Sequence, residues 1–392
     1  MSLTETAIEP VFPVQHGPLL DDLACAVIQR SGQLSTKVSP QLREELTEVT
    51  RLMHCYYSNL IEGQQTLVPD IEAALHNDFS AEPKKRDLQK LALAHLACQR
   101  WAAAYAGSPF SPEFLCELHN RFYSALPPSL CVATTYTGAE SPLTPGVLRD
   151  RDVRVGAHLA PPHALLPGLL CHFEQRYGRA NLSLASRIVA IGASHHRLAW
   201  IHPFRDGNGR VVRLFSDTLI RQLGIDSGGL WSLSRGLAFE RQEYYSRLAK
   251  ADQVRTSPAD GEGHLSEQAL REFCEFVLKV MLDQISFMEA VFDLNTLGGR
   301  IEQYVRLDAG FGDMGARVFL LLREALHRGE FPRGDAGRIS GAGERTGRKA
   351  LSAAVDAGLL KSATPKSPVR LALPAKVHEA YFPRLFPPGN LP

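Results

Sequence analysis

The sequence predicts a mainly α protein with one small β excursion in its middle and a winged-helix-like segment at its C-terminus. Three observations carry this. Apolar residues recur at helical spacing through most of the chain. Short runs of β-formers separated by turn residues stand between Val132 and Pro162. From Gly312 to Pro392 there are 13 Lys+Arg against 7 Asp+Glu, a surplus of six in a chain whose total is +1. The length of 392 residues predicts two or three domains. With 44% hydrophobic and 22% charged residues the chain has ample apolar content for a core, which excludes a mainly disordered protein. No run reaches the ~18 apolar residues of a membrane span, and the start (MSLTETAIEP) is not a signal peptide, so a soluble, cytoplasmic protein is expected. Seven cysteines without a C-x-x-C pair predict reduced thiols rather than disulfides or structural zinc.

The elements follow in order. The first ~20 residues read as loop, with Pro10, Pro13 and Pro18. Leu20 to about Cys55 has helical spacing. Asp87–Ala106, rich in Ala and Leu without Gly or Pro, predicts a buried helix. Ser111-Pro112 opens the next helix, as N-cap and first helical residue, and Pro127-Pro128 stops it. Thr134-Thr135-Tyr136, Pro145-Gly146 and Val153-Arg154-Val155 predict a small hairpin. Leu165–Tyr177, Leu184–Trp200 and Val211–Leu223 are helical, the last ended by Gly224. Leu265–Leu297 predicts one long helix broken by Gly298-Gly299, with its Met and Phe residues in the core. Near the C-terminus, three short helices precede Lys361 and the strand-like Val369–Leu373.

One stretch concentrates chemistry: His202-Pro203-Phe204-Arg205-Asp206-Gly207-Asn208-Gly209-Arg210-Val211-Val212-Arg213. The two glycines let successive backbone N–H groups converge into an anion nest. The nest opens a helix, whose N-terminus favours phosphate. Arg210 and Arg213, three apart, share a helix face above it. Asp206 is a hard oxygen donor suited to Mg²⁺ bridging phosphates. His202 titrates near neutrality and can take a proton from a hydroxyl. Together these describe a phosphoryl- or nucleotidyl-transfer site. His196 and His202 have metal-ligand spacing, but no cysteine or carboxylate completes a zinc set.

The stretch resembles the signature of the Fic (filamentation-induced-by-cAMP) family, HPFx(D/E)GNGRxxR, at every fixed position. The resemblance implies ATP and Mg²⁺. It makes His202 the general base, Asp206 the metal ligand, and Gly207, Asn208 and Gly209 the anion hole. Arg210 would hold the phosphates and Arg213 the γ-phosphate, with Pro203 and Phe204 structural. Upstream, Ser58, Glu62 and Gly63 resemble the family's inhibitory motif, (S/T)xxxE(G/N), which alone also reads as a capped helix end. Glu62 would pair with Arg213 and deny it the γ-phosphate. The family's flap, which clamps a protein target by strand addition, would lie near 145–160, with Val155, Gly156 and His158 bordering the nucleotide. Tyr244 is similar to an adenine-side tyrosine, or is a core aromatic. Some relatives have Asn near the base where this chain has Asp252.

The expected organisation is an N-terminal helical region to residue 110, a Fic core and following helices over 111–300, and a winged-helix-like domain over 312–392. Arg345, Arg348, Lys349, Lys361, Lys366 and Arg370 would form its recognition face. The leading expectation is an autoinhibited protein adenylyltransferase moving AMP from ATP to a Ser, Thr or Tyr hydroxyl. The alternatives are a de-AMPylating hydrolase or another phosphate-donor transferase at the same site, and an ATP-sensing DNA-binding regulator. A homodimer follows family habit, and no membrane partner is expected.

Overall fold

The computed structural model describes residues 3–13, 17–134, 140–179, 182–307 and 310–386. The first half holds α1 (Gly17–Thr36), α2 (Pro40–Ile61), α3 (Val68–Leu75), α4 (Pro83–Ala103) and α5 (Pro112–Ser124). The strands β1 (Val132–Thr134), β2 (Glu140–Pro142), β3 (Arg154–Val155) and β4 (His158–Leu159) follow. Then come α6 (Leu166–Tyr177), α7 (Leu184–Ile201), α8 (Asn208–Gln222), α9 (Leu233–Phe239), α10 (Arg241–Ala251) and α11 (Glu267–Val291). The remainder is α12 (Leu294–Leu307), α13 (Gly315–Arg328), β5 (Glu330–Phe331), α14 (Ala336–Ile339), α15 (Glu344–Asp356), β6 (Leu360–Lys361), β7 (Val369–Leu371) and α16 (Ala375–Tyr381).

Contacts divide the chain into two compact units. The first gathers Met1–Gln29, His54–Asp226 and Ser232–Gln284; the second gathers Arg30–Met53, Ser227–Trp231 and Ile285–Pro392. The chain leaves and re-enters each unit, and the residues of α2 fall in the second up to Met53 and in the first from His54.

In the first unit α7 is the central element. From Ile188 to Ile201 only Ala199 is not buried, so neighbours enclose the helix on all sides, and its polar residues Ser194, His195, His196 and Arg197 are buried with the rest. It packs on α6 and α8, and α8 packs in turn on α4 and α5. Ala and Leu along α4 allow close approach: Leu91, Ala92, Ala94, Leu96 and Ala102 are all buried. The expected cap of α5 is present, with the Ser111 hydroxyl accepting from Phe114 N at 3.1 Å.

In the second unit α12 packs against α13 and α16, and a three-stranded antiparallel sheet in the order β5-β7-β6 lies against α13. The short strand β5, between the first two helices of the three-helix set, is not visible in the sequence pattern. It adds an edge strand beside β7. Arg370 in β7 and Lys361 in β6 pair with Glu44 at 3.1 Å and Glu45 at 2.7 Å, residues of the same unit.

Three expectations are corrected. The 20–55 segment is two helices parted at Lys37–Ser39, where the Ser39 hydroxyl accepts from Leu42 N at 3.2 Å and starts α2. The 265–297 segment breaks at Phe292-Asp293 rather than at Gly298-Gly299. Asp293 caps the new helix by accepting from Thr296 N at 2.9 Å, and both glycines lie inside α12. The β excursion is two separate ribbons, β1–β2 and β3–β4, not one hairpin. Pro145–Arg149 belongs to neither ribbon; Thr135 and Tyr136 lie outside the described residues.

Candidate active site

Two helix ends and the loop between them build the site. Helix α7 stops at Ile201, and His202 follows as its C-cap in the left-handed region, at φ 51°. A residue with a Cβ holds that conformation only when its surroundings enforce it. Arg149 does so. Its buried side chain donates from Nε to the His202 carbonyl at 2.9 Å, from Nη1 to the Arg151 carbonyl at 3.1 Å and from Nη2 to the Pro161 carbonyl. Its backbone N–H donates to the Pro203 carbonyl at 2.9 Å. One side chain therefore ties the loop after α7 to both ends of the β3–β4 ribbon.

Phe204 is fully buried and stacks on His119, with ring centroids 4.0 Å apart. His119 Nδ1 accepts from Gly146 N at 2.8 Å, so its Nε2 carries the proton, 3.2 Å from the Asp206 carbonyl. Burial pushes that imidazole down to about 4. Asn208 closes the loop. Its Oδ1 accepts from Phe204 N and its Nδ2 donates to the Phe204 carbonyl, both at 2.9 Å. The Asn208 side chain is thus spent inside the loop, and only its backbone N–H is left for an anion. Gly207 caps α8 at φ 80°, and a Cβ there would stand 2.6 Å from the Tyr123 ring. Only glycine meets both conditions.

Asp206 is exposed, and its Oδ2 accepts from the Tyr123 hydroxyl at 2.7 Å. Arg210 is buried. Its Nη2 donates to Gln64 Oε1 at 2.6 Å and its Nη1 to the Tyr123 hydroxyl at 3.3 Å, while its Nε has no partner among the described residues. Arg213 is also buried and is held from α2. Its Nε donates to Ser58 Oγ at 3.0 Å, and its Nη2 donates to the Ser58 carbonyl at 3.0 Å and to Glu62 Oε1 at 2.6 Å. The Glu62 carboxylate also lies against Gly209, where any Cβ would collide with it. Burial would raise the Glu62 carboxyl, but the Arg213 and Arg210 guanidiniums prevail and hold it below its ordinary range. Gly63, at φ 75°, ends the helix in the left-handed region. Gln64 N donates to the Asn59 carbonyl at 2.9 Å, which brings Gln64 back over the site.

Part of this set lines a cavity of about 1020 Å³. Glu62, His202, Asp206, Gly207, Asn208, Gly209 and Arg213 stand along it, with Val155, Gly156 and His158 from the β3–β4 ribbon and Tyr244, Tyr245 and Asp252 from α10 and its end. Its volume falls at the upper end of ordinary ligand sites. Burial, with His158 and Arg149 nearby, pushes the His202 imidazole down to about 4, so it is neutral at neutral pH. Tyr244 is buried and bonds His195 Nε2 at 2.8 Å, whereas Tyr245 is half exposed. Sequence reasoning placed Arg149 only in the flap run and missed Tyr123, His119 and Gln64. The available signals were the capped helix that carries Tyr123 and His119, and the position of Gln64 directly after Glu62-Gly63.

Residues 109–220 match the sequence profile of the Fic/DOC family, and this stretch of the chain is a Fic/DOC family domain. The curated relatives it resembles are named protein adenylyltransferase Fic. The one from Aedes aegypti is 26% identical over 176 residues, and the one from Drosophila melanogaster is 26% identical over 173 residues. Each match covers 44% of this chain and 32% of the relative, so it spans about a third of those proteins' length. Among solved structures, a Fic family protein from Desulfovibrio desulfuricans aligns over 92% of this chain and 98% of its own, with TM-score 0.55 and 20% identity. Fic-1 from C. elegans aligns over 71% and 75%, with TM-score 0.52 and 18% identity. The helical fold is shared with both.

Proposed function

We propose that this protein is an autoinhibited adenylyltransferase that moves AMP from ATP to a Ser, Thr or Tyr hydroxyl of a protein. The observation that carries this reading is the Glu62–Arg213 pair at 2.6 Å, set beside the N-terminus of α8. A carboxylate there fills, for an arginine and a helix N-terminus, the place of an anion.

With Glu62 withdrawn, the first N–H groups of α8, the buried Nε of Arg210 and the freed Arg213 converge on the space of a triphosphate. Arg213 holds the γ-phosphate. The target hydroxyl oxygen then attacks the α-phosphorus, the bond from that phosphorus to the bridging oxygen breaks, and pyrophosphate leaves. The hydroxyl proton passes to His202, whose neutral imidazole is ready to accept it. Arg210 stabilises the charge that builds on the leaving phosphate.

For Mg²⁺ the donor set fits in one way. Among the described residues no group of three or more His, Cys, Asp or Glu could hold a metal. Asp206 offers one hard carboxylate, oriented by Tyr123, at the rim of the cavity. That suits a Mg²⁺ brought with the nucleotide and bound mainly by phosphates and water. The ion would supply charge neutralisation on those phosphates.

The target would dock along the flap, where Val155 and Leu159 are exposed on a two-residue ribbon. The test is intact-mass analysis of the Glu62→Gly variant after incubation with Mg²⁺ and ATP. Gain of one AMP supports adenylyl transfer. Gain of one phosphate would mean that the donor binds in the opposite sense.

A further inference from the structure

The β3–β4 ribbon has only two residue pairs, Arg154 with Leu159 and Val155 with His158, and most of its side chains are exposed. So short a ladder does not hold a position by itself. A polar bridge that the proposed chemistry leaves unused joins it to the core. His158 Nδ1 lies 3.3 Å from Asp252 Oδ2, and Asp252 Oδ1 lies 3.1 Å from Nε2 of fully buried His196. His196 Nδ1 is 2.8 Å from Nη1 of Arg197, and Arg197 Nε and Nη2 donate to the Pro10 carbonyl at 3.0 and 2.9 Å.

We propose that Asp252 is a positioning residue for the nucleotide site: its carboxylate fixes the flap over the cavity by bridging His158 to His196. The inference rests on the nucleotide reading of that cavity.

The partners of each ring nitrogen fix where the protons sit. Arginine only donates, so His196 Nδ1 accepts and its proton sits on Nε2, facing Asp252 and the Leu248 carbonyl at 3.2 Å. His158 is different. Its Nδ1 faces a carboxylate and its Nε2 faces the Trp200 carbonyl at 2.9 Å. Both partners only accept, so only the imidazolium satisfies both. Loss of one proton breaks one of the two anchors of β4.

The charged and titratable groups facing the bridge are few. Arg149 precedes the flap, His202 follows α7, and His195 and Arg197 lie on α7 itself. Glu9, Tyr177 and Cys274 stand behind Arg197. Burial would lower the His158 imidazole, but Asp252 outweighs it and raises it. The anchor is therefore complete below that raised value and weakens as pH rises through it.

The experiment measures Mg²⁺-ATP binding and AMP transfer from pH 6 to pH 9 in Glu62→Gly, alone and combined with Asp252→Asn or His158→Gln. Glu62→Gly alone should lose roughly tenfold in ATP affinity across that range. Either added substitution should weaken affinity roughly tenfold at pH 6 and leave it flat with pH, and with Asp252→Asn the rate at saturating ATP should change less than about threefold. An unaltered pH profile in both combined variants would overturn the proposal, as would a loss of rate at unchanged KM. A second readout needs no nucleotide. At pH 7, Asp252→Asn should speed tryptic cleavage after Arg154, and equal cleavage would also overturn it. If Glu62→Gly alone neither binds ATP nor takes AMP, the nucleotide reading fails, while the cleavage comparison still decides the role of Asp252.

Discussion

At the scale of single residues, the site depends on groups placed where their ordinary chemistry is altered. His202 is pushed down to about 4 by burial, well below an unperturbed imidazole near ~6.5. A group held neutral in this way is protonated only at lower pH, so activity limited by this base should persist to about pH 5. A rate profile of Glu62→Gly bending near 6.5 would contradict that placement. His202→Ala should abolish transfer while leaving nucleotide binding within about threefold, as checked by calorimetry. Ser58→Ala removes one of the three hydrogen bonds by which Ser58 and Glu62 hold Arg213 and should release the brake in part, to a rate between wild type and Glu62→Gly. Bonds to a charged group contribute about 2 kcal/mol each, so Ser58 and Glu62 together hold Arg213 more firmly than either alone.

At the scale of elements, the helix–loop–helix of α7 and α8 was readable because its turn chemistry is local. Gly207 and Gly209, the residue types around them and the flanking helical patterns all lie within a few residues of one another. The Ser58–Glu62 spacing showed that both face one side of a helix, and the structure places both on Arg213. What holds the loop was not readable, because the partners are distant in sequence. Arg149 meets His202 across 53 positions, Tyr123 meets Asp206 across 83, and Gln64 meets Arg210 across 146. Nor could the pattern show that Asn208 turns inward or that the β segment forms two ribbons, since strands this short carry little periodicity. Arg149→Met tests the distant partner. It would leave the His202, Pro161 and Arg151 carbonyls without their donor, at a cost of about 3 kcal/mol. Thermal unfolding should show that loss, and the rate should fall further than nucleotide affinity does.

At the scale of the whole molecule, residues that act together are spread widely through the chain. The Fic/DOC domain covers 109–220, whereas Ser58, Glu62 and Gln64 come from α2 and the turn beyond it. The second unit is likewise assembled from 30–53, 227–231 and 285–392. A chain ending at Gln284 would therefore lose most of that unit and uncover Leu34, Leu42, Leu46 and Val49, all buried in the full chain. Such a truncation should aggregate or lose cooperative unfolding, as read by light scattering and thermal melts. The basic surplus of the C-terminal segment was clear from composition. Its use was not, because Lys361 and Arg370 turn out to be paired with Glu45, Glu44 and Glu330 within the unit. With Arg348, which pairs with Glu344 at 2.9 Å, three of the six cations of the expected recognition face are thus already paired with acids of the chain itself.

The central claim is that Glu62 restrains a nucleotidyl-transfer site in which His202 is the base. The most direct measurement is intact-protein mass spectrometry after incubation with Mg²⁺ and ATP, comparing wild type, Glu62→Gly and Glu62→Gly/His202→Ala. The account predicts an added AMP in Glu62→Gly, little or none in wild type, and none in the double variant. Equal modification of wild type and Glu62→Gly, or an AMP gain that survives the loss of His202, would contradict it.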